Sequence, residues 1–451
     1  MGRIQYYSTN RKSPEVRFTE ALIRGMAPDR GLYMPLDIPA VTYKELESFR
    51  AMSYHQIAAS VLWKFLEGDI ERDMLGSFCD EAYDFDIPLE NVSRNIYILR
   101  LDRGPTASFK DFAARIMARI FSYVLEKDGG EVTILTATSG DTGSAIANAF
   151  SGIDRIKVIV LFPRGEVSEL QRKQMTTIGE NIRVLSVDGK FDDCQALVKE
   201  AFSDGDLKYL RLSSANSINI GRLLPQMVFY FYAWSRVNGS GEKVLFSVPS
   251  GNFGNLVGGL MAARMGLPVE RFIVAVNDND EFPLFLKTGS YQKIEPSRNC
   301  ISSAMNVGHP SNLTRLFDLY GGLMDETGRL VKSPDINMIK QDMASFSISD
   351  KLTKEIMGEV YKTYGTLLEP HGAVAWAGYN AYIANRNPAG LPAVILETAH
   401  PAKFPDAVYG STGVVPPIPA SLEGVSSREE SYTEMPADYN IFKSYLRKTN
   451  G

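Results

Sequence analysis

The sequence predicts an α/β protein: two open, mostly parallel sheets flanked by helices, with an appended N-terminal domain. Three observations carry this expectation. From about residue 96 onward, short apolar runs rich in β-branched residues alternate with helix-like stretches, the pattern of parallel strands buried on both faces. The strand–helix units are too many for one small sheet, which implies two α/β parts. Residues 1–95 differ in texture, being mixed in pattern and rich in charge.

Taken in order, residues 18–26 (FTEALIRGM) and 53–66 read as amphipathic helices of an N-terminal domain, 1–95. The first α/β part, 96–240, has strands at 132–136, 156–162 (IKVIVLF) and 182–187, each followed by a helix, at 144–150, 168–178 and 192–202. The second, 241–412, has strands at 244–248 and 272–276 around a helix at 256–265, then a helix at 372–383 and a strand at 393–398. The tail, 413–451, holds Pro416-Pro417-Ile418-Pro419 and a polar run at 426–431, and reads as an extended surface segment. No internal repeat is visible.

Composition removes several classes. Hydrophobic residues at 44% and charged residues at 22% exclude disorder of the whole chain. A net charge of −5 argues against a general nucleic-acid binder, which needs a basic surface. No apolar run approaches the roughly 18 residues of a bilayer span, and the N-terminus shows no signal-peptide pattern. Cys79, Cys194 and Cys300 are odd in number and far apart, the usage of a reducing, cytoplasmic compartment. His55, His309, His371 and His400 are scattered, so no metal site is expected.

Ligands of open α/β sheets sit at the carboxyl ends of the strands, and three segments there carry unusual chemistry. Thr138-Ser139-Gly140-Asp141-Thr142-Gly143 opens directly into a helix; hydroxyls and free helix N–H groups suit an anion, while the plain alternative is a helix capped by Asp141 or Thr142. Ser250-Gly251-Asn252-Phe253-Gly254-Asn255 is again a turn between strand and helix. It lacks the P-loop and dinucleotide patterns and suits a monoester phosphate, or else is an ordinary glycine turn. In Ser108-Phe109-Lys110-Asp111 the lysine stands among small and apolar residues. Either burial lowers its pKa and leaves an amine able to form a Schiff base, or it is a surface lysine paired with Asp111.

Taken together and in this order, the three segments resemble the threonine synthase family, pyridoxal 5'-phosphate (PLP) enzymes of the tryptophan-synthase-β fold type, fold type II. The resemblance extends over nearly the whole chain. It includes the N-terminal Tyr6-Tyr7-Ser8-Thr9-Asn10, residues 217–226 and Glu397-Thr398-Ala399-His400-Pro401-Ala402-Lys403-Phe404. It implies that Lys110 carries the cofactor; that Ser250, Gly251, Asn252, Phe253, Gly254 and Asn255 hold its phosphate; and that Thr398 faces its pyridine nitrogen. Thr138, Ser139 and Thr142 would grip the substrate carboxylate, with Asp141 orienting or capping. The substrate phosphate needs a second anion site, for which Asn219 and Arg222 are candidates and Lys173 and Arg164 weaker ones, the alternative for each being a helix-surface side chain. The implied reaction converts O-phospho-L-homoserine and water to L-threonine and phosphate, in a monomer or homodimer. Arg103 stands where the family usually has His, which leaves open a related phospholyase forming 2-oxobutyrate, or a PLP-binding pseudoenzyme.

Overall fold

The computed structural model describes residues 3–237, 242–384, 386 and 390–449. The boundary expected at 240/241 lies outside the described residues. The architecture is α/β, with two main sheets. A six-stranded sheet runs in the order Met343–Ser347, Val269–Val276, Val244–Pro249, Ala393–Glu397, Ile96–Arg100, Leu89–Ser93. All its neighbours are parallel except the last pair. A five-stranded, wholly parallel sheet runs Thr433–Pro436, Ile182–Asp188, Ile156–Pro163, Val132–Ala137, Leu212–Ser213. Every residue of Val132–Ala137, Val244–Pro249 and Ala393–Glu397 is buried, which explains why these strands read as unbroken apolar runs.

Helix boundaries follow local chemistry. Ser53 and Ser168 each form a capping box, with Gln56 and Gln171, and start the helices Tyr54–Leu66 and Glu169–Thr176. Gly25, at φ 70°, ends Phe18–Arg24. The helix expected from 144 starts earlier, at Asp141.

The division of the chain differs from the expected one in three places. Strand Ile96–Arg100, assigned above to the first α/β part, pairs in register with Ala393–Glu397 in the six-stranded sheet. The chain leaves that sheet to build the other and returns at Val244. An apolar run states that a strand is buried, not which sheet takes it. Leu89–Ser93, assigned to the N-terminal domain, pairs beside it. The N-terminal helices share one core with the rest: Tyr54 packs edge-on against Phe112 and Tyr232, with ring centroids 5.3 Å apart in each case.

The third difference is the tail. Residues 416–431 are mostly exposed, but Leu422 and Val425 are buried, and Arg172 holds Glu430 through a two-pronged ion pair of 2.8 and 2.9 Å. Thr433–Pro436 then adds an edge strand beside Ile182–Asp188. Helix Tyr439–Thr449 buries Phe442 and Leu446 in a cluster with Cys194, Leu197 and Val198. The tail therefore covers a sheet edge that would otherwise offer unpaired backbone groups. Phe442→Ala should cost about 3–5 kcal/mol, as for other buried Phe truncations, read as a lower urea midpoint. A loss below about 1 kcal/mol would show that the helix is not held in this core.

Candidate functional site

A cavity of about 410 Å³ lies between the carboxyl ends of the two sheets. Lys110, Thr138, Ser139, Thr142, Arg222, all of 250–255 and Thr398 line it. Asn219 does not. Three stretches far apart in sequence thus converge where open α/β sheets bind ligands.

Lys110 is the first residue of helix Lys110–Asp128. The segment before it is tied to the end of strand Ala393–Glu397: Phe109 N donates to Thr398 O at 2.9 Å, and His400 N donates to Ala107 O at 3.0 Å. These two bonds place Lys110 beside Thr398. Asp111 is not its partner; that carboxylate is buried and accepts from Thr106 N (2.9 Å) and Oγ1 (2.6 Å). The Lys110 amine instead lies 3.5 Å from Asp141 Oδ2. Burial first, and then the charges of Lys403 and Arg222, hold it below the ordinary lysine pKa, with Asp141 opposing.

The turn at 138–143 is organised by Thr138, whose Oγ1 accepts from Gly140 N and Gly143 N, both at 2.9 Å. The cap expected of Asp141 or Thr142 therefore falls to Thr138, whose oxygen is occupied inside the loop. Asp141 turns inward, where Gln171 Nε2 donates to Oδ1 at 2.8 Å. Burial works to raise its carboxyl pKa, but Lys403 and Lys110 hold it well below the usual range. Ser139 and Thr142 remain on the cavity wall.

In the second turn Phe253 adopts φ 61°, a left-handed conformation uncommon for a bulky residue. Its buried ring packs on Phe282, centroids 5.0 Å apart, which holds the strained backbone in place. Helix Gly254–Arg264 starts here, so its first N–H groups, which no helix satisfies internally, point toward the cavity end of the turn. Ser250 Oγ donates to Val248 O at 3.1 Å. Asn252 Oδ1 accepts from Ser311 Oγ at 3.4 Å. Asn255 Oδ1 accepts from Tyr230 at 2.6 Å, while Asn255 Nδ2 has no hydrogen-bond partner among the described residues.

Thr398 Oγ1 donates to Glu369 Oε1 at 3.4 Å. Glu369 also accepts from Gly372 N at 3.0 Å and from the Nδ1 of His371, a residue on the cavity wall. Burial and the neighbouring Glu369 raise the carboxyl of Glu397 well above its ordinary pKa. Glu369 and His371 were missed in the sequence; the only signal was a polar Glu-Pro-His ahead of an apolar helix.

Two further expectations are corrected. Asn219 is a structural cap: its Oδ1 accepts from Gly221 N (2.8 Å), and its Nδ2 donates to Leu22 O (2.8 Å) and Ser214 O (2.7 Å). No polar atom of that amide is left for a substrate. Lys173 and Arg164 pair with Glu169 (3.2 Å) and Glu434 (3.1 Å) outside the cavity. Arg222 does line the cavity. Its Nη1 donates to Ala215 O at 2.9 Å, and its buried Nε has no partner among the described residues. Arg103 lies away from the cavity wall, 3.7 Å from Glu90 and 3.6 Å from Asp102.

Residues 86–398 match the family described as pyridoxal-phosphate dependent enzyme, residues 5–83 the threonine synthase N terminus, and residues 372–446 the threonine synthase C-terminal region. The threonine synthase of Pseudomonas aeruginosa is 39% identical, over 98% of both chains. This chain belongs to the threonine synthase family. Among solved structures of the family, PLP-bound threonine synthase from Brucella melitensis superposes with a TM-score of 0.91 at 37% identity, covering 99% of each chain. Yeast threonine synthase gives 0.89 at 30% identity, covering 98% of each.

The two glycines of the second turn are not equivalent. A Cβ on Gly251 would lie 2.8 Å from Ala304 O and 2.9 Å from Met305 Cα, both backbone atoms. A Cβ on Gly254 would meet side chains no closer than 3.5 Å, so crowding by the protein itself falls on Gly251 alone of the two. Gly251→Ala should cost about 1–3 kcal/mol by overpacking, and Gly254→Ala within about 0.5 kcal/mol. Urea unfolding of the two variants distinguishes them, and equal losses would contradict this packing.

Proposed function

We propose that this protein converts O-phospho-L-homoserine and water to L-threonine and phosphate, with PLP held in the cavity through Lys110. The observation that carries the reading is the meeting of a buried, pKa-lowered lysine with a phosphate-sized turn and unpartnered buried donors on one cavity wall. The residues present suit the cofactor. The turn 250–255 supplies helix N–H groups and the free Nδ2 of Asn255 for a phosphate. Thr398 lines the cavity, and its single hydroxyl proton, directed at Glu369 in this structure, would turn to a pyridine nitrogen bound there. When bound, PLP supplies an electron sink that acidifies the substrate carbon next to the amine.

The chain's own residues do the rest. Ser139, Thr142 and the N–H groups at the start of helix Asp141–Phe150 bind the substrate carboxylate. Asp141, itself negative and occupied by lysines, stays out of that contact. Arg222 receives the substrate phosphate: a buried guanidinium with an unused Nε and no carboxylate within ion-pair distance among the described residues is suited to an oxyanion. The Lys110 amine moves protons at the substrate carbon, and the enclosing walls limit the water that can reach it.

Borohydride reduction of the purified protein should fix the cofactor on Lys110, found by peptide mass; a label on another lysine would end the assignment. Unreduced protein given phosphohomoserine should yield threonine and phosphate in equal amounts, whereas 2-oxobutyrate would identify a phospholyase and no product a non-enzyme. Thr398→Val keeps the shape but leaves a buried partner unmade, at about 1–3 kcal/mol. Turnover should fall by about one to two powers of ten, with the cofactor still bound. Wild-type turnover in this variant would remove Thr398 from the ring nitrogen.

A further inference from the structure

Beyond Thr398, the segment 397–404 holds a cation that the proposed function leaves unused. Lys403 lies in the turn Pro401–Lys403, and its side chain is wholly buried. Its Nζ sits 2.7 Å from Asp141 Oδ1 and donates to Thr106 O at 2.9 Å. The other oxygen of Asp141 is 3.5 Å from Lys110 Nζ. One buried carboxylate therefore joins two ammonium groups and lies closer to the one that does not line the cavity.

This asymmetry matters because of what Asp141 would do alone. A carboxylate beside a lysine favours the charged amine, and a charged amine is no nucleophile. Lys403 occupies that carboxylate. The other charged or titratable groups facing this cluster are Asp111, Arg222 and His400. Burial pushes the Asp111 carboxyl above its ordinary pKa against the pull of its Thr106 hydrogen bonds and Lys403, and holds His400 down at about 4, so His400 adds no charge near pH 8. Arg222 adds positive charge near Lys110.

We propose that Lys403 is a positioning residue that governs Lys110 through Asp141: its ammonium takes the nearer carboxylate oxygen and thereby weakens the hold of Asp141 on a proton at the Lys110 amine. The inference rests on Lys110 being the cofactor lysine. The direction of the Lys110 pKa, lowered by burial first and then by Lys403 against the pull of Asp141, agrees with it.

The test is competitive acetylation of the full-length chain, freed of cofactor, with trace acetic anhydride across a pH series. The extent of labelling at Lys110 reports its neutral fraction. In the wild type, added PLP should protect Lys110; lack of protection would overturn the reading of the site and this inference with it. With protection intact, Lys403→Met should cut the neutral fraction of Lys110 at about pH 8 by about tenfold, because Asp141 is left to Lys110 alone. Lys403→Arg, which keeps the charge, should restore it to within about threefold of wild type. Asp141→Asn should act in the opposite direction and raise the neutral fraction. Loss of packing alone would not make the two substitutions shift Lys110 in opposite senses. An unmoved Lys110 titration in folded Lys403→Met overturns the inference. Should that variant fail to fold, Lys403→Gln decides: a fall in the neutral fraction supports the inference, and no change or a rise overturns it.

Discussion

Two backbone hydrogen bonds hold the site together. Phe109 N to Thr398 O and His400 N to Ala107 O join the segment before helix Lys110–Asp128 to the end of strand Ala393–Glu397. Through them the lysine is fixed to the six-stranded sheet, although the helix that follows it packs against helix Asp141–Phe150, which belongs to the five-stranded sheet. Strand Ile96–Arg100, directly upstream, lies in register beside Ala393–Glu397. The chain can then cross to build the other sheet without moving Lys110 away from Thr398. Backbone bonds between buried groups are costly to leave unmade, so this junction is a strong restraint on the cavity's geometry.

The charges around that junction follow from burial. Asp141 is balanced by Lys403 and Lys110, and Asp102 by Arg100 through a two-pronged pair of 3.2 and 2.6 Å. Glu397 and Glu369 lie close enough that burial and mutual repulsion raise the Glu397 pKa, and the backbone N–H of Glu369 donates to Glu397 at 2.8 Å. Buried charges rarely add net stability. Their concentration around Lys110 and Thr398, rather than through the hydrophobic core, marks a place where geometry and protonation matter more than packing. Arg222 differs from these in having no carboxylate within ion-pair distance among the described residues, and its Nε has no hydrogen-bond partner there.

The periphery supports this centre in less obvious ways. The tail closes an edge of the five-stranded sheet and clamps helix Glu169–Thr176 through Arg172 and Glu430. From that helix Gln171 reaches Asp141, and Gln174 donates to Thr106 O at 3.1 Å, the carbonyl that Lys403 also holds. Residues 426–431 are thus linked to the cavity wall through one short helix. Asn10 and Arg30 bring the N-terminal part to the same wall, so neither end of the chain is an accessory.

The sequence by itself determined the class of fold, most helix and strand positions, and the three segments that meet at the cavity, because each is written in local chemistry: apolar runs of strand length, Ser-x-x-Gln caps, and glycine-bearing turns opening into helices. It singled out Lys110, Thr398 and the turn 250–255 by order and resemblance. Only the tertiary structure decided which sheet takes Ile96–Arg100, that the tail adds a strand, that Asn219 spends all its polar atoms on backbone, and that Thr138 caps its own loop. It alone brought Glu369, His371 and Lys403 to the site. The physical reason is common to all of these. A strand's sheet, an amide's partners and a buried ion's counter-charge are set by groups tens or hundreds of residues away, as with Thr106 and Lys403, and no local pattern encodes a partner that distant folding supplies.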